Sequence, residues 1–203
     1  MLVAVGGHSR NIGKTSLVAG LIRKFRNRQW TAVKITQYGN GVCARDGGAC
    51  GCEPGAGEAF ALTEEYQPNK TDTGRFLAAG AERSLWLRVP AGGLARAAGT
   101  IRKILDQSAN VIVESNSILE LVQPDVFLML MDFSCEDFKA SSMRFLDRAD
   151  GFVVIDRGIN APLWQEVARG MWDGKPQFPV KPPAYVTPAV AEFVRAKFSS
   201  GLR

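Results

Sequence analysis

Short apolar runs alternate with segments of helical periodicity along most of the chain. Residues 2–5, 31–36, 84–89, 110–114, 126–131 and 151–155 have the length and the apolar content of buried strands. Apolar positions recur at helical spacing in residues 14–27, 75–80, 93–107, 137–147 and 188–198, which predicts helices there. Such alternation is typical of an α/β protein with a mainly parallel sheet. We therefore predict a three-layer α/β domain whose ligand binds at the carboxyl ends of the strands.

Two stretches of the chain depart from this regular pattern. Residues 37–74 are rich in glycine and polar residues, and residues 173–203 begin with a proline-rich part before the last predicted helix. A structureless connection of the first kind is unusual in a compact domain unless it is functional or partly disordered. We predict one domain over residues 1–203, with a Cys/Gly-rich loop at 37–74 and a Pro-rich C-terminal extension at 173–203.

Composition and charge limit the classes of partner. The 203 residues are 46% hydrophobic and 22% charged, which suits one globular domain. The formal charge is +5, but no run of five like charges occurs, so we assign the charge to phosphate affinity and a solvated surface and favour nucleic acid less. No apolar run reaches the roughly 18 residues of a membrane span. We expect a cytoplasmic protein with no membrane contact and with reduced thiols.

A glycine-rich loop joins the first predicted strand to the first predicted helix. Backbone N–H groups of such a loop, together with the helix N-terminus, bind anions. Lys14 would contact the β and γ phosphates of a nucleotide, and the Thr15 hydroxyl would bind Mg²⁺. A plain strand-to-helix turn would leave a cation unexplained at a helix start. We predict that all ten loop residues bind nucleotide and call them the phosphate loop: Gly7, His8, Ser9, Arg10, Asn11, Ile12, Gly13, Lys14, Thr15 and Ser16.

The spacing inside the phosphate loop is a variant of the common motif. A glycine usually stands where this chain has His8, and Gly7 lies one residue further back. We interpret His8 as a loop residue near phosphate and not as a metal ligand or a general base. With Asn11 two residues before Gly13, the loop resembles those of dethiobiotin synthetase and the cobyrinic or cobyric acid synthases, within a class that includes signal-recognition GTPases and partition ATPases.

A second segment resembles another P-loop family. Residues 70–81 read Lys-Thr-Asp-Thr-Gly-Arg-Phe-Leu-Ala-Ala-Gly-Ala. They are similar to a segment of the molybdopterin-guanine dinucleotide biosynthesis protein B family (MobB), a small single-domain family, and the resemblance covers residues 1–160. It implies a nucleotide triphosphate-binding, weakly hydrolysing accessory protein in molybdenum cofactor biosynthesis. It also implies a molybdenum-cofactor nucleotidyltransferase partner and a homodimer.

Two charged residues on predicted strands complete the candidate site. Glu114 ends the strand at 110–114, similar to the Val-Glu-Gly step of MobB but with Ser115 in place of glycine. We predict that Glu114 acts with Lys14 in catalysis and with Thr15 in binding Mg²⁺; a surface carboxylate is the alternative. Lys34 interrupts an apolar strand, which is unfavourable unless an anion pairs with it. Related synthetases hold phosphate or substrate with a lysine here, and the alternative is an edge lysine with a buried stem.

The nucleotide base is not determined by the sequence. Guanine specificity in this class usually comes from an Asn-Lys-x-Asp string after a late strand, and no such string follows residues 151–155. Asp156 and Asn160 lie at the corresponding place, and we keep them as candidate base-contacting residues. Both GTP and ATP stay open as the cofactor.

Three cysteines lie within ten residues, at Cys43, Cys50 and Cys52. Thiolates this close, between glycines, could bind zinc or an iron–sulfur cluster, shared with a second subunit. The C-x6-C-x-C spacing matches no common zinc pair, however, and the alternative is a glycine-rich loop with incidental thiols.

Three functions follow from these observations. The first is a MobB-like NTPase, which chain length and residues 72–81 favour. The second is an ATP-dependent synthetase that activates a carboxylate by phosphorylation, which the loop spacing and Lys34 favour. The third is a metallochaperone or switch in which nucleotide gates the cysteine loop, which only the cysteines favour.

Overall fold

The computed structural model describes residues 1–39, 59–159, 161–164 and 167–200, and in them eight strands form one sheet. In the order β3-β4-β2-β5-β1-β6-β7-β8, all neighbouring strands are parallel except β3, which is antiparallel to β4. The strands are β1 (Leu2–Gly7), β2 (Trp30–Tyr38), β3 (Ala61–Glu65), β4 (Arg83–Pro90), β5 (Asn110–Glu114), β6 (Val126–Asp132), β7 (Gly151–Ile155) and β8 (Gln177–Val180).

Helices cover both faces of this sheet. On one face, apolar residues of α1, α2 and α5 pack into a core with β1 and the alternate residues of β6 and β7. On the other face, α3 and α4 pack against β4, β5 and the remaining residues of β6. The helices are α1 (Lys14–Lys24), α2 (Asp72–Ala79), α3 (Ala98–Asp106), α4 (Ala140–Phe145) and α5 (Pro188–Ser200). The predicted three-layer α/β architecture with a mainly parallel sheet is confirmed.

The topology places a crevice at the carboxyl end of β1. The connection after β1 runs towards β2 along the face covered by α1, whereas the connection after β5 runs the other way, to β6, along the opposite face. Neighbouring strands whose connections diverge leave an opening between them, which is where open α/β sheets bind ligands. The loops that follow β1 and β5 therefore border a natural ligand site.

Strand burial explains which strands the pattern revealed. All seven residues of β6 are buried, because central parallel strands are covered on both faces. The strands at 110–114 and 151–155 were predicted with the bounds that the structure shows. The predicted bounds of β2 and β4 were short by one or two residues at each end, and the missed residues include the buried Trp30 and Tyr38 as well as the partly exposed Arg83 and Pro90.

Two edge strands lie where the sequence predicted irregular structure. The stretch 37–74 contains the end of β2, the whole of β3 and the first turn of α2, and the C-terminal extension contains β8 and α5. β3 was missed because an edge strand tolerates polar residues, such as the exposed Thr63 and the half-buried Glu64. β8 was missed because it contains Pro179, which an edge strand tolerates.

Several helices are shorter than predicted. Residues 26–28, 94–97 and 146–148 form 3₁₀ turns beside α1, α3 and α4, so the helical periodicity extends beyond each α-helix. Among the described residues, no helix is long and apolar enough to span a membrane.

Candidate functional site

A cavity of about 650 Å³ opens at the carboxyl edge of the sheet. It is lined by the phosphate loop, the ends of β2 and β5, the first turn of α2, the residues around the start of α4, and the connection between β8 and α5. Five basic and two acidic side chains are among the described residues that line it. This excess of positive charge suits an anionic ligand.

The phosphate loop turns sharply into α1. Asn11 and Gly13 both adopt the left-handed conformation, with φ of 54° and 104°. No side chain caps the N-terminus of α1, and no acidic residue lies in its first turn. The start of α1 therefore presents the positive end of the helix dipole to the cavity without an acidic residue of its own first turn to oppose it.

Lys14 folds back over the phosphate loop. Its Nζ donates a hydrogen bond to the Ser9 carbonyl oxygen at 2.7 Å. A Cβ on Gly7 would lie 2.9 Å from Lys14 Cδ, so the glycine at position 7 makes room for the lysine stem. Burial lowers the pKa of Lys14 below its ordinary value, and Lys34 adds to this effect against the opposing charge of Glu114. Lys14 is thus a desolvated cation at the base of the cavity.

Glu114 connects the phosphate loop to β2. The Thr15 hydroxyl donates to Glu114 Oε2 at 2.8 Å, and both side chains are buried. Lys34 Nζ lies 3.4 Å from Glu114 Oε1, because β2 and β5 pair with Lys34 opposite Glu114. The geometry brings together four predicted site residues, namely Lys14, Thr15, Lys34 and Glu114.

Asp72 extends this network to α2. Lys34 Nζ donates to Asp72 Oδ2, while Arg75 lies 3.7 Å from Asp72 and donates to the Ser16 hydroxyl at 2.8 Å. Burial alone would raise the pKa of Asp72, but the hydrogen bond and charge of Lys34 outweigh it and the pKa is lowered. Burial would likewise lower the pKa of Lys34, but Glu114 and Asp72 raise it. Both groups are therefore charged at neutral pH.

The first two residues of the phosphate loop are held from the side of β5 and α4. Asn116 accepts a hydrogen bond from Gly7 N at 2.9 Å and donates to the Gly7 carbonyl at 3.1 Å. Ser142 donates to the same carbonyl at 2.7 Å, and Asn116 donates to Ser142 Oγ at 2.8 Å. The start of the loop is fixed before any ligand binds.

The structure places His8 away from the cavity, which corrects its interpretation as a phosphate neighbour. Its side chain is fully buried between Phe138 and Trp164, and its backbone N–H donates to the Leu130 carbonyl. Nε2 accepts from the backbone N–H of Asp132 at 3.0 Å, so Nδ1 carries the proton and donates to the Asp137 carbonyl. Burial lowers the pKa of His8 to about 4, so the ring is neutral at physiological pH.

Other predicted loop residues divide between cavity and protein interior. Arg10, Asn11, Gly13 and Ser16 line the cavity with Lys14 and Thr15. The Ser9 hydroxyl instead donates to Asp137 Oδ2 at 2.5 Å, and Ile12 packs into the core between α1 and the sheet. Only part of the loop therefore presents side chains to a ligand.

Of the candidate base-contacting residues, the structure describes Asp156 and places it outside the cavity. Asp156 is exposed, does not line the cavity, accepts from the Gly158 backbone N–H and lies 3.4 Å from Lys181 Nζ. Asn160 and the three clustered cysteines lie outside the described residues. Cys135 has a free thiol, and no group of metal-ligating side chains occurs in the part of the chain that the structure describes.

Several residues that line the cavity were not predicted, among them two charged residues of α2 and three residues of later connections. Asp72 and Arg75 lay in the MobB-like segment, where charge preceding the helix was a usable signal. Three others carried no such signal, because only the folded chain brings their connections to the loop. The five are Asp72, Arg75, Asn116, Lys139 and Tyr185.

No protein-family model and no curated protein matches the sequence. HypB from Helicobacter pylori, solved in complex with nickel, is similar in structure with a TM-score of 0.51 and 12% identity, over 98% of this chain and 87% of that chain. LpxK from Aquifex aeolicus in complex with ATP has a TM-score of 0.46 and 14% identity, over 88% of this chain and 53% of that chain. The chain therefore spans about half the length of LpxK. The MinC:MinD cell division complex of Aquifex aeolicus has a TM-score of 0.40 and 14% identity, over 97% of this chain and 86% of that chain.

These identities are low, and the likeness concerns fold alone. Together with the sheet order, the similarity to HypB shows that the chain has the three-layer α/β fold of P-loop NTPases.

Proposed function

We propose that this chain binds a nucleoside triphosphate with Mg²⁺ at the phosphate loop and slowly hydrolyses it. The observation that carries the proposal is the buried hydrogen bond from Thr15 to Glu114, next to Lys14 at the start of α1. A buried carboxylate and hydroxyl beside a desolvated lysine form an arrangement that is favourable when a polyphosphate and its metal ion are present.

The oxygen donors at this point fit Mg²⁺. Thr15 supplies a hydroxyl and Glu114 a carboxylate, which are hard ligands of the kind that Mg²⁺ takes while retaining water and phosphate oxygens. We assign both residues to the metal. When bound, Mg²⁺ would neutralise part of the charge on the phosphates.

The protein's own contribution to hydrolysis is positioning and charge. Lys14 and the start of α1 would hold the phosphates, and Lys14 would stabilise negative charge that develops on the transferred group. Lys34 and Asp72 would keep Glu114 in place, since Lys34 binds both carboxylates. ATP and GTP are equal candidates, because Asp156 does not line the cavity.

The cellular role that we propose is that of a MobB-like accessory protein in molybdenum cofactor biosynthesis. The support is the resemblance of the phosphate loop, of residues 70–81 and of the Glu114 strand to that family. The same resemblance supports a homodimer and a nucleotidyltransferase partner. Light scattering tests the dimer, and co-purification tests the partner.

Phosphate release tests the proposed activity. We expect slow release from ATP, GTP or both with Mg²⁺, and about a hundredfold loss or more in Glu114→Gln and Lys14→Ala, the scale of removing one electrostatic catalytic group. Glu120→Gln is the matched control, since Glu120 is exposed and pairs with Arg144. Release no faster than in a protein-free blank, or equal release by Glu114→Gln and the native protein, would refute the activity.

The same assay addresses the synthetase alternative. A synthetase releases phosphate only when its carboxylate substrate is present, so turnover by the protein alone favours the simple NTPase.

A nucleotide-gated metallochaperone is the second candidate. The clustered cysteines favour it, together with the fold shared with HypB, which was solved with nickel. Metal analysis after purification without air, with Cys135→Ser as the control for a paired Cys50→Ser and Cys52→Ser variant, separates it from the first. A protein free of metal and chromophore would remove its support.

A further inference from the structure

Lys139 is a cavity lysine that the proposed chemistry does not use. It directly precedes α4, and its backbone N–H donates to the His8 carbonyl at 2.8 Å. Its side chain lines the same cavity as Lys14 and Arg10. The connection between β6 and α4 is thereby tied to the phosphate loop, and Lys139 faces the space above it.

The charges around Lys139 differ from those around Lys34. Lys34 is bound to the carboxylates of Asp72 and Glu114. Within the described ranges, by contrast, no carboxylate lies at ion-pair distance from Lys139 Nζ and no side-chain hydrogen bond joins it. A half-buried ammonium without a counterion is unfavourable unless a ligand supplies the anion.

Neighbouring cations strengthen this conclusion. Burial, followed by the charges of Lys14 and Arg10, lowers the pKa of Lys139 to about 7, while Asp137 and Glu114 oppose the shift only in part. Lys139, Lys14 and Arg10 thus line the same cavity and lie close enough to one another to repel. Mutual repulsion among them is relieved when a phosphate group lies between them.

We propose that Lys139 binds the terminal phosphate of a bound nucleoside triphosphate, beside Lys14, and so distinguishes triphosphate from diphosphate. The inference rests on the proposed function, because it requires nucleotide in the cavity. The terminal phosphate carries the charge that hydrolysis removes, so a cation that contacts only this group adds affinity for the triphosphate alone.

Equilibrium binding of ADP and GDP, and of the non-hydrolysable β,γ-imido analogues of ATP and GTP, each with Mg²⁺, tests this inference. We expect Lys139→Met to weaken binding of the triphosphate analogue by about tenfold or more, the scale of one charge-assisted hydrogen bond, and to change binding of the diphosphate with the same base by less than about twofold. Lys139→Arg keeps the cation and should retain most of the preference. Lys103→Met, which removes an exposed lysine on α3, should change neither affinity.

The outcomes separate this inference from the proposed function. If Lys139→Met weakens binding of the triphosphate and the diphosphate equally, or weakens neither, the proposed role of Lys139 is overturned. The proposal that the native protein binds nucleotide would still stand. Absence of binding by the native protein would overturn both. Thermal melting of each variant shows whether it is folded. If Lys139→Met is not folded, Lys139→Arg decides the question. Loss of the triphosphate preference in a folded Lys139→Arg variant counts against the proposal.

Discussion

Glu114 is the residue on which the cavity depends most. It is buried at the end of β5, accepts from Thr15 of the phosphate loop and lies beside Lys34 of β2. Three segments distant in sequence therefore share one carboxylate. Removing its charge in Glu114→Gln would leave Lys34 with the charge of Asp72 alone, while the amide oxygen could still accept from Thr15, so the effect on activity should exceed the effect on stability.

His8 is the opposite case, a residue of the phosphate loop whose role is structural. Its ordinary pKa of 6.5 falls to about 4 in the folded protein, so the unfolded chain binds the proton first as pH falls. The stability that comes from the neutral ring is complete above pH 6.5 and is lost between there and pH 4. We expect the free energy of unfolding to fall by about 2 kcal/mol from pH 7 to pH 5 through this group.

Because His8 is the single histidine of the sequence, its titration can be observed directly. In the untagged protein, the imidazole carbon-bound proton resonances should titrate near pH 4 or remain unchanged until acid unfolding. A midpoint between pH 6 and pH 7 in the folded state would contradict the buried, neutral ring.

Position 8 also shows the limit of motif reasoning at the residue scale. The motif located Lys14, Thr15 and Glu114 because their chemistry follows from a strand end and a helix start. It misplaced His8, because the direction of that side chain depends on β6, on Asp137 and on Trp164, which are distant in sequence.

At the scale of elements, the start of α1 combines a strained backbone with a close neighbour. Gly13 has φ of 104°, and the Tyr185 hydroxyl lies 2.3 Å from where a Cβ on Gly13 would stand. Tyr185 comes from the connection between β8 and α5, so the last part of the chain restricts the phosphate loop. An L side chain at position 13 meets both obstacles.

Gly13→Ala should therefore lower the free energy of unfolding by about 1–2 kcal/mol from the backbone conformation alone, with a further loss from the contact. Adding Tyr185→Ala to Gly13→Ala should restore only the stability that is lost through the contact with Tyr185. Gly99→Ala on α3 is the matched control, since open space surrounds it and a helical glycine is replaced, so that variant should be more stable by about 0.5–1 kcal/mol. Urea denaturation measures all four proteins, and unchanged stability of Gly13→Ala would contradict the described turn.

Edge elements were harder to predict than central ones for a related physical reason. β5, β6 and β7 are apolar because helices cover both faces of the sheet there, and short apolar runs in the sequence predict them. β3 and β8 lie at the sheet edges, where one side is open, so polar residues and Pro179 are tolerated and the pattern weakens.

At the scale of the whole molecule, the order of strands assembles the cavity. The sheet brings the ends of β1, β2 and β5 together, the start of α2 adds Asp72, and the connections before α4 and α5 add Lys139 and Tyr185. The sequence was sufficient for the fold and the phosphate loop, since both follow from local pattern. It was insufficient for these three residues, because their positions depend on the crossovers between strands.

Nucleotide binding is the claim on which the other proposals depend. Titration of the native protein, Lys14→Ala and Lys24→Ala with ATP and with GTP, in the presence of Mg²⁺, tests it most directly. Lys24 is the matched control, since it is exposed at the far end of the same helix. We expect saturable binding of at least one triphosphate, with affinity at least about tenfold weaker in Lys14→Ala and unchanged in Lys24→Ala. Absence of binding by the native protein, or equal affinity in Lys14→Ala, would contradict it.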